Sequence, residues 1–169
     1  MLKQPIENYL SHILSRSKQL GFVEFHQQPQ NFQANLILHR KEFVIGMFSM
    51  VDTFYVIMQA PINLDQIRFQ TFGKQVFQFA LENKNPWPRG LGGGAVAYPV
   101  LIADSVPENV RLFAESYCPK HWASFEFPVL VDLSERSIYY YPNTPAWGAF
   151  YYRMFQKEVM SLFGLDKEK

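Results

Sequence analysis

The stretch FQANLILHRKEFVIGMFSMVDTFYVIMQA, Phe32 to Ala60, decides the fold. Apolar, β-branched and aromatic residues dominate it. Polar residues interrupt it at Arg40-Lys41-Glu42 and around Met50-Val51-Asp52. Divided at those two places, the stretch predicts three strands, at residues 33–39, 43–49 and 53–59. Connections this short join adjacent antiparallel strands, so the strands form a meander. Just upstream, FVEFHQ alternates. Val23 and Phe25 share one face and Glu24 and His26 the other, which adds a further strand.

Working outward, helical spacing of Ile6, Tyr9, Leu10, Ile13 and Leu14 predicts a first helix, with Pro5 in its first turn and Gly21 as its stop. Beyond Pro61, Asn63 and Gln66 have capping-box spacing. They open a helix that turns Leu64, Ile67, Phe72, Val76, Phe79 and Ala80 inward and ends near Asn83. VAYPVLIAD is a continuous apolar run, as expected of a buried strand. Ser105 and Glu108 predict a second capped helix, running to Tyr117. FEFPVLVDL and SIYYYP form a hairpin around Ser134-Glu135-Arg136. Thr144-Pro145 opens a last helix with Trp147, Phe150, Tyr151, Met154, Phe155, Val159 and Leu162 inward, and Gly164 ends it. The order α-β-β-β-β-α-β-α-β-β-α predicts an α+β fold. It is an α/β sandwich, with a mixed central sheet of meander and later strands flanked by helices. Residues 1–169 read as one globular domain without repeats or linkers.

Composition narrows the function. The chain is 48% hydrophobic and 18% charged, which is globular rather than disordered. A net charge of +1 gives no electrostatic argument for nucleic acid or an anionic membrane. One cysteine, Cys118, excludes an internal disulfide. The apolar run FVIGMFSMV falls far short of the ~18 residues that span a bilayer, and the N-terminus lacks a signal-peptide pattern. A soluble, cytoplasmic protein is expected. Aromatic residues reach 17%, more apolar surface than a chain of this size easily hides. That predicts a homodimer at micromolar concentration.

Three places can carry chemistry. The first is PWPRGLGGG, Pro86 to Gly94. A phosphate-binding loop needs Lys-Ser or Lys-Thr next and a helix after it. Ala95-Val96 follow instead, opening a strand. The stretch is therefore a connection, or a lid with Arg89 as anion contact and Trp87 as stacking surface. Trp87 is expected to be anchored and the side from Gly92 to Gly94 loose. The second place is CPKHWASFEF, where Lys120 and His121 are candidate ligand contacts and Cys118 packs as a small apolar group. The third is a set of acids near strand ends: Asp52, Asp104, Glu126 and Asp132. Such acids hold Mg²⁺ or cap turns. Asp52, Glu126, Asp132 and His121 are the candidate catalytic residues. Glu126 faces away from Phe125 and Phe127, outward or into a cleft on the other sheet face. His12, His26, His39 and His121 form no metal-ligand motif, and neither metal nor cofactor is assigned.

Helix, antiparallel strands, helix, strand, helix is similar to the core of the PD-(D/E)XK nuclease-like fold. That resemblance implies an acid followed by E-x-K on a meander strand. DTFYVIMQA supplies Asp52 but no Glu or Lys after it, and the spacing Glu82–Lys84 falls at a helix end. No Mg²⁺-dependent cleavage of DNA or RNA is therefore expected. Separately, PKHWASFEFPVLVDL with NTPAWGAFYY resembles a block in small bacterial proteins of unknown function, which implies no activity. The sequence reads as a non-catalytic interaction module that self-associates. The alternative is an enzyme, or degenerate enzyme, of nuclease-like fold acting on a phosphate-bearing substrate.

Overall fold

Two long strands replace the three short ones expected of the meander. The computed structural model describes residues 3–165 except Trp147. In it, β2 (Leu36–Val44) pairs antiparallel with β3 (Ser49–Gln59) from Leu36↔Ile57 to Val44↔Ser49. The chain reverses through a single 3₁₀ turn at Ile45–Met47 and Phe48, whose N–H donates to the Ile45 carbonyl at 3.1 Å. Arg40-Lys41-Glu42, read as a turn, continues β2. Its outer end lies beyond the reach of β1 (Val23–Glu24), so charged residues sit there without breaking the ladder. Asp52 likewise lies within β3.

The remaining order is α1 (Lys3–Gln19) before β1, then α2 (Gln66–Asn83), β4 (Gly93–Ala103), α3 (Glu108–Ser116), β5 (Phe125–Glu126), β6 (Val129–Asp132), β7 (Ser137–Tyr139) and α4 (Ala149–Phe163). One mixed sheet runs β1-β2-β3-β4-β6-β7, with β5 also against β4. The pairs β3–β4, β4–β5 and β4–β6 are parallel, so α2 and α3 are crossover helices.

Strand alternation divides the core in two. Leu36, Leu38, Val51, Tyr55, Val96, Tyr98, Val129 and Val131 face α1 and α4. Ile37, Phe54, Val56, Ala95, Ala97, Leu101 and Leu130 face α2 and α3. The architecture is a helix-sheet-helix sandwich of α+β class.

Several helix boundaries differ from expectation. Asp65, not Asn63, caps α2: its Oδ1 accepts from the Arg68 N–H at 2.7 Å. The inward stripe keeps Phe72, Val76, Phe79 and Ala80 and adds Phe69, whereas Ile67 is exposed. Pro107 takes the cap position of α3 without a side-chain bond, and Ser105 with Glu108 forms no box. Helix α4 begins at Ala149 rather than at Thr144-Pro145, because Gly148 supplies its cap position. Phe155, Val159 and Leu162 point inward as expected, but Phe150 and Met154 are exposed. Trp147, expected inward, lies outside the described residues. The strand expected in FVEFHQ shrinks to two exposed residues, and the flanking Phe22 and Phe25 turn to opposite cores. Among the described residues, no helix is long and apolar enough to cross a membrane.

Asp65→Ala is expected to cost about 1 kcal/mol, the usual value of an N-cap. That lowers the melting temperature by about 2–4 °C for a chain of this size. Asn63→Ala should leave it unchanged. Thermal melts of the two variants followed by circular dichroism check this.

Candidate functional site

The expected acids lie apart, each held by its own partners. On β3, Asp52 Oδ1 meets His39 Nε2 at 2.8 Å, while Oδ2 accepts from the backbone N–H and the side-chain amide of Asn85 at 2.8 and 2.7 Å. Burial pushes the Asp52 carboxyl up, but the bonds from His39 and Asn85 outweigh it and hold the group below its ordinary range. At the other end of the sheet, Asp132 accepts from the Val106 N–H, the Ser134 hydroxyl and the Glu135 N–H at 2.8, 2.8 and 2.9 Å. Burial again opposes, and these bonds again lower its pKa. Asp132 thus holds the entry to α3 and the β6–β7 turn, while Asp104 is exposed. Among the described residues, no three His, Cys, Asp or Glu side chains are placed to share a metal ion.

Glu126 is different. Phe125 and Phe127 turn to the α4 side of the sheet, so Glu126 turns beneath α2 and is fully buried. Its Oε2 lies 2.7 Å from His121 Nε2, and its Oε1 has no partner. Room for Oε1 exists because residue 73, in mid-helix, is glycine: a Cβ there would stand 2.5 Å from it. The contact engages Nε2 of the imidazole and leaves Nδ1 outside it. The ring is clamped face-on against Phe77, with centroids 3.6 Å apart, and about a quarter of the side chain reaches solvent. Cys118 instead bonds the Tyr152 hydroxyl at 3.2 Å.

His121 belongs to a loop that lies against the Gly/Pro stretch. Arg89 donates to the Trp122 carbonyl at 3.3 Å, and a Cβ on Gly90 would meet the Trp122 indole nitrogen at 3.3 Å. The expected ligand contacts Trp87, Arg89, Lys120 and His121 therefore sit on two adjoining loops. Two expectations for the stretch fail. Gly93 and Gly94 are not loose but open β4 in register with Met50 and Val51, and both are buried. Trp87 is not anchored: its ring is mainly exposed. The backbone there is pinned instead, by Asn85 Oδ1 on the Trp87 N–H and by Lys84 Nζ on the Trp87 carbonyl. The strand ladder accounts for the order of the glycines, and the backbone bonds hold Trp87 without enclosing its ring.

Three residues that the sequence does not mark for a site, Met47, Ser49 and Tyr151, join these two loops around a pocket. Met47, Ser49, Gly90, Gly93, Gly94, Ala123, Phe125 and Tyr151 line an open, mainly apolar pocket of about 240 Å³. Each of four large apolar residues adjoins a lining residue in the chain and has its side chain in water: Phe48 80%, Leu91 73%, Trp122 78% and Phe150 69% exposed. Ile45 adds to them. Two backbones here are strained. Phe48 has φ 47° and Ala123 φ 50°, in the left-handed region. Such conformations cost non-glycine residues about 1–3 kcal/mol. Four chain segments meet at this end, two of them the stretches marked in the sequence, and no local pattern brings the four together. For Glu126 the alternation with Phe125 and Phe127 is the readable signal, and glycine at position 73, inside a strongly helical stretch, is a second one.

No protein-family model, curated protein or solved structure matches this chain.

In a helix interior, Gly→Ala normally stabilises by about 1 kcal/mol. Gly73→Ala is expected to destabilise instead, because Cβ displaces Glu126 Oε1 and strains its bond to His121. In a Glu126→Ala background, the same change should recover its usual gain. Urea unfolding of the two single variants and the double variant measures this coupling.

Proposed function

We propose that the protein is an interaction module that docks apolar protein surface at the end of the sandwich marked by Phe48, Leu91, Trp122 and Phe150. One observation carries the reading: four chain segments that supply lining residues of one apolar pocket each expose a large apolar side chain next in sequence to such a residue. Leaving them in water forfeits about 1.5–3 kcal/mol each, which a partner surface returns. Contiguous exposed apolar area of this kind marks interaction sites. The pocket is smaller than the roughly 300–1,000 Å³ typical of small-molecule sites and suits one or two side chains. The near-neutral chain gives no reason to invoke nucleic acid. At submicromolar chain concentration, the dye bis-ANS should bind saturably to the native protein. The Phe48→Ser/Trp122→Ser double variant should lose most of that binding while keeping its circular dichroism. Equal dye binding by both proteins sinks the reading.

The buried Glu126 supports a second reading, the enzyme-like alternative. A fully buried carboxylate with one unpartnered oxygen is costly, and a structural role would be met more cheaply by an apolar residue. It holds the His121 ring through Nε2, and in this reading Nδ1 serves as the general base. Arg89, on the adjoining loop, would meet a phosphate. In this reading His121 takes a proton from water, the water oxygen bonds phosphorus, and the ester oxygen leaves with its bonding electrons. Bis(p-nitrophenyl) phosphate tests it, since nitrophenolate leaves unprotonated. Release is expected to vanish in His121→Gln and to persist in Phe48→Ser. No release above buffer by the unaltered protein removes this reading.

A further inference from the structure

Resting on the interaction-module reading, we propose that the docking partner is a second copy of this chain, each copy seating Phe48 in the pocket of the other. The pocket and its candidate plug lie on the same surface. Phe48 follows Met47 and precedes Ser49, both pocket-lining residues, and Gly90, Gly94, Ala123 and Tyr151 complete the walls. A two-fold axis through this end therefore makes two identical plug-and-pocket contacts, the self-complementary arrangement of a closed dimer.

The local conformation of Phe48 points the same way. It sits at the tip of the β2–β3 turn, 80% exposed, with φ 47° and ψ 43°. Glycine or asparagine satisfies that conformation with less strain. An aromatic ring held in a left-handed conformation and displayed to water gains nothing inside its own chain. It gains burial when it enters a partner. Ala123, the other left-handed residue at this end, lines the receiving pocket, and the indole of the preceding Trp122 lies beside Gly90, another lining residue.

Area and charge agree. Phe48, Trp122 and Phe150 together offer roughly 450 Å² of exposed aromatic surface. That is more than half of the ~800 Å² each partner contributes to a standard interface. Ile45 and Leu91 extend it. A net charge of +1 sets little long-range repulsion between two copies. A lipid bilayer would receive the exposed loop tips, but it has no rigid projection to fill a walled pocket.

Size-exclusion chromatography with light scattering at tens of micromolar is expected to give twice the 19.8 kDa chain mass. Phe48→Ser removes the plug, and Ala123→Phe blocks the pocket at an exposed position. Each alone should weaken dimerisation at least tenfold with unchanged circular dichroism. An equimolar mixture should regain a dimer, because the Phe48→Ser chain offers an intact pocket to the intact Phe48 of the other variant. A structural defect would not be rescued by mixing. A dimeric Phe48→Ser protein, or a mixture that stays monomeric, overturns the proposal. Unaltered protein that remains at 19.8 kDa but binds bis-ANS overturns the second copy as partner and leaves the interaction surface standing. Failure of both dimerisation and dye binding removes both. Phosphatidylcholine vesicles that sediment monomeric protein, but not Phe48→Ser, would assign the surface to lipid and overturn the proposal.

Discussion

The parallel pairing of β3 with β4 is the constraint on which the other elements depend. Met50 to Gln59 lie in register with Gly93 to Ile102, and every residue of β4 is buried. A parallel strand this deep must be covered on both faces. On one face Tyr55 stacks on its register partner Tyr98, with centroids 4.0 Å apart, and α1 and α4 close over them. On the other face the inward β4 residues include small Ala95 and Ala97, which leave room for the phenylalanines of α2. Helix α2 is itself the crossover that brings β4 back beside β3, so the same segment makes the pairing and seals it.

Buried polar groups then fix the layers against one another. Glu158 of α4 accepts from the Tyr55 hydroxyl at 2.9 Å and pairs with Arg40 of β2 at 2.8 Å. Arg40 also bonds the Leu20 carbonyl and lies over the Phe22 ring at 4.3 Å, tying in the segment after α1. Burial first, then the nearby Tyr98 and Glu158, push the Tyr55 hydroxyl well above its ordinary pKa, so it stays a proton donor. On the opposite face Asp52 holds Asn85, which accepts from Trp87 and thereby fixes where the Gly/Pro stretch begins. Glu126 differs from Asp52 and Glu158, whose carboxylate oxygens all have partners. One of its oxygens serves His121 and the other serves nothing.

What the sequence conveyed follows from the range of the forces involved. The long apolar runs, the Gly21 and Gly164 stops and the hairpin at Ser134-Glu135-Arg136 are local signals, and the α/β sandwich was legible from them. The meander was misdivided because charged Arg40, Lys41 and Glu42 resemble a turn, whereas the real turn is written in apolar residues, Ile45-Gly46-Met47-Phe48. Asn63 misled because Asp65, two residues on, offers the same chemistry at the right position. The Asp52–His39 and Asp52–Asn85 contacts are products of register and crossover, which residue spacing does not encode. Phe150 and Met154 have helical periodicity but lie in α4 where the sheet no longer covers them, and the sequence gives no sign of where that cover ends.

The position of the apolar end within the fold also bears on its use. In open α/β sheets, small ligands settle beyond the carboxyl ends of the parallel strands. Here that end carries Asp132, whose oxygens are committed to Val106, Ser134 and Glu135, beside the acidic residues Glu108 and Glu135. The exposed aromatics lie at the opposite end, around the turn into β3, the entry to β4 and the loop before β5. The β2–β3 turn and the entry to β4 adjoin strands paired in the central ladder, while their large side chains face water. A rigid display of aromatic groups loses little conformational freedom when it docks. Strain at Phe48 and Ala123 is tolerated there because the β2–β3 ladder and the buried Ser124 over-determine the flanking backbone. The β3–β4 core thus fixes where the β2–β3 turn and the Gly/Pro stretch leave the sheet.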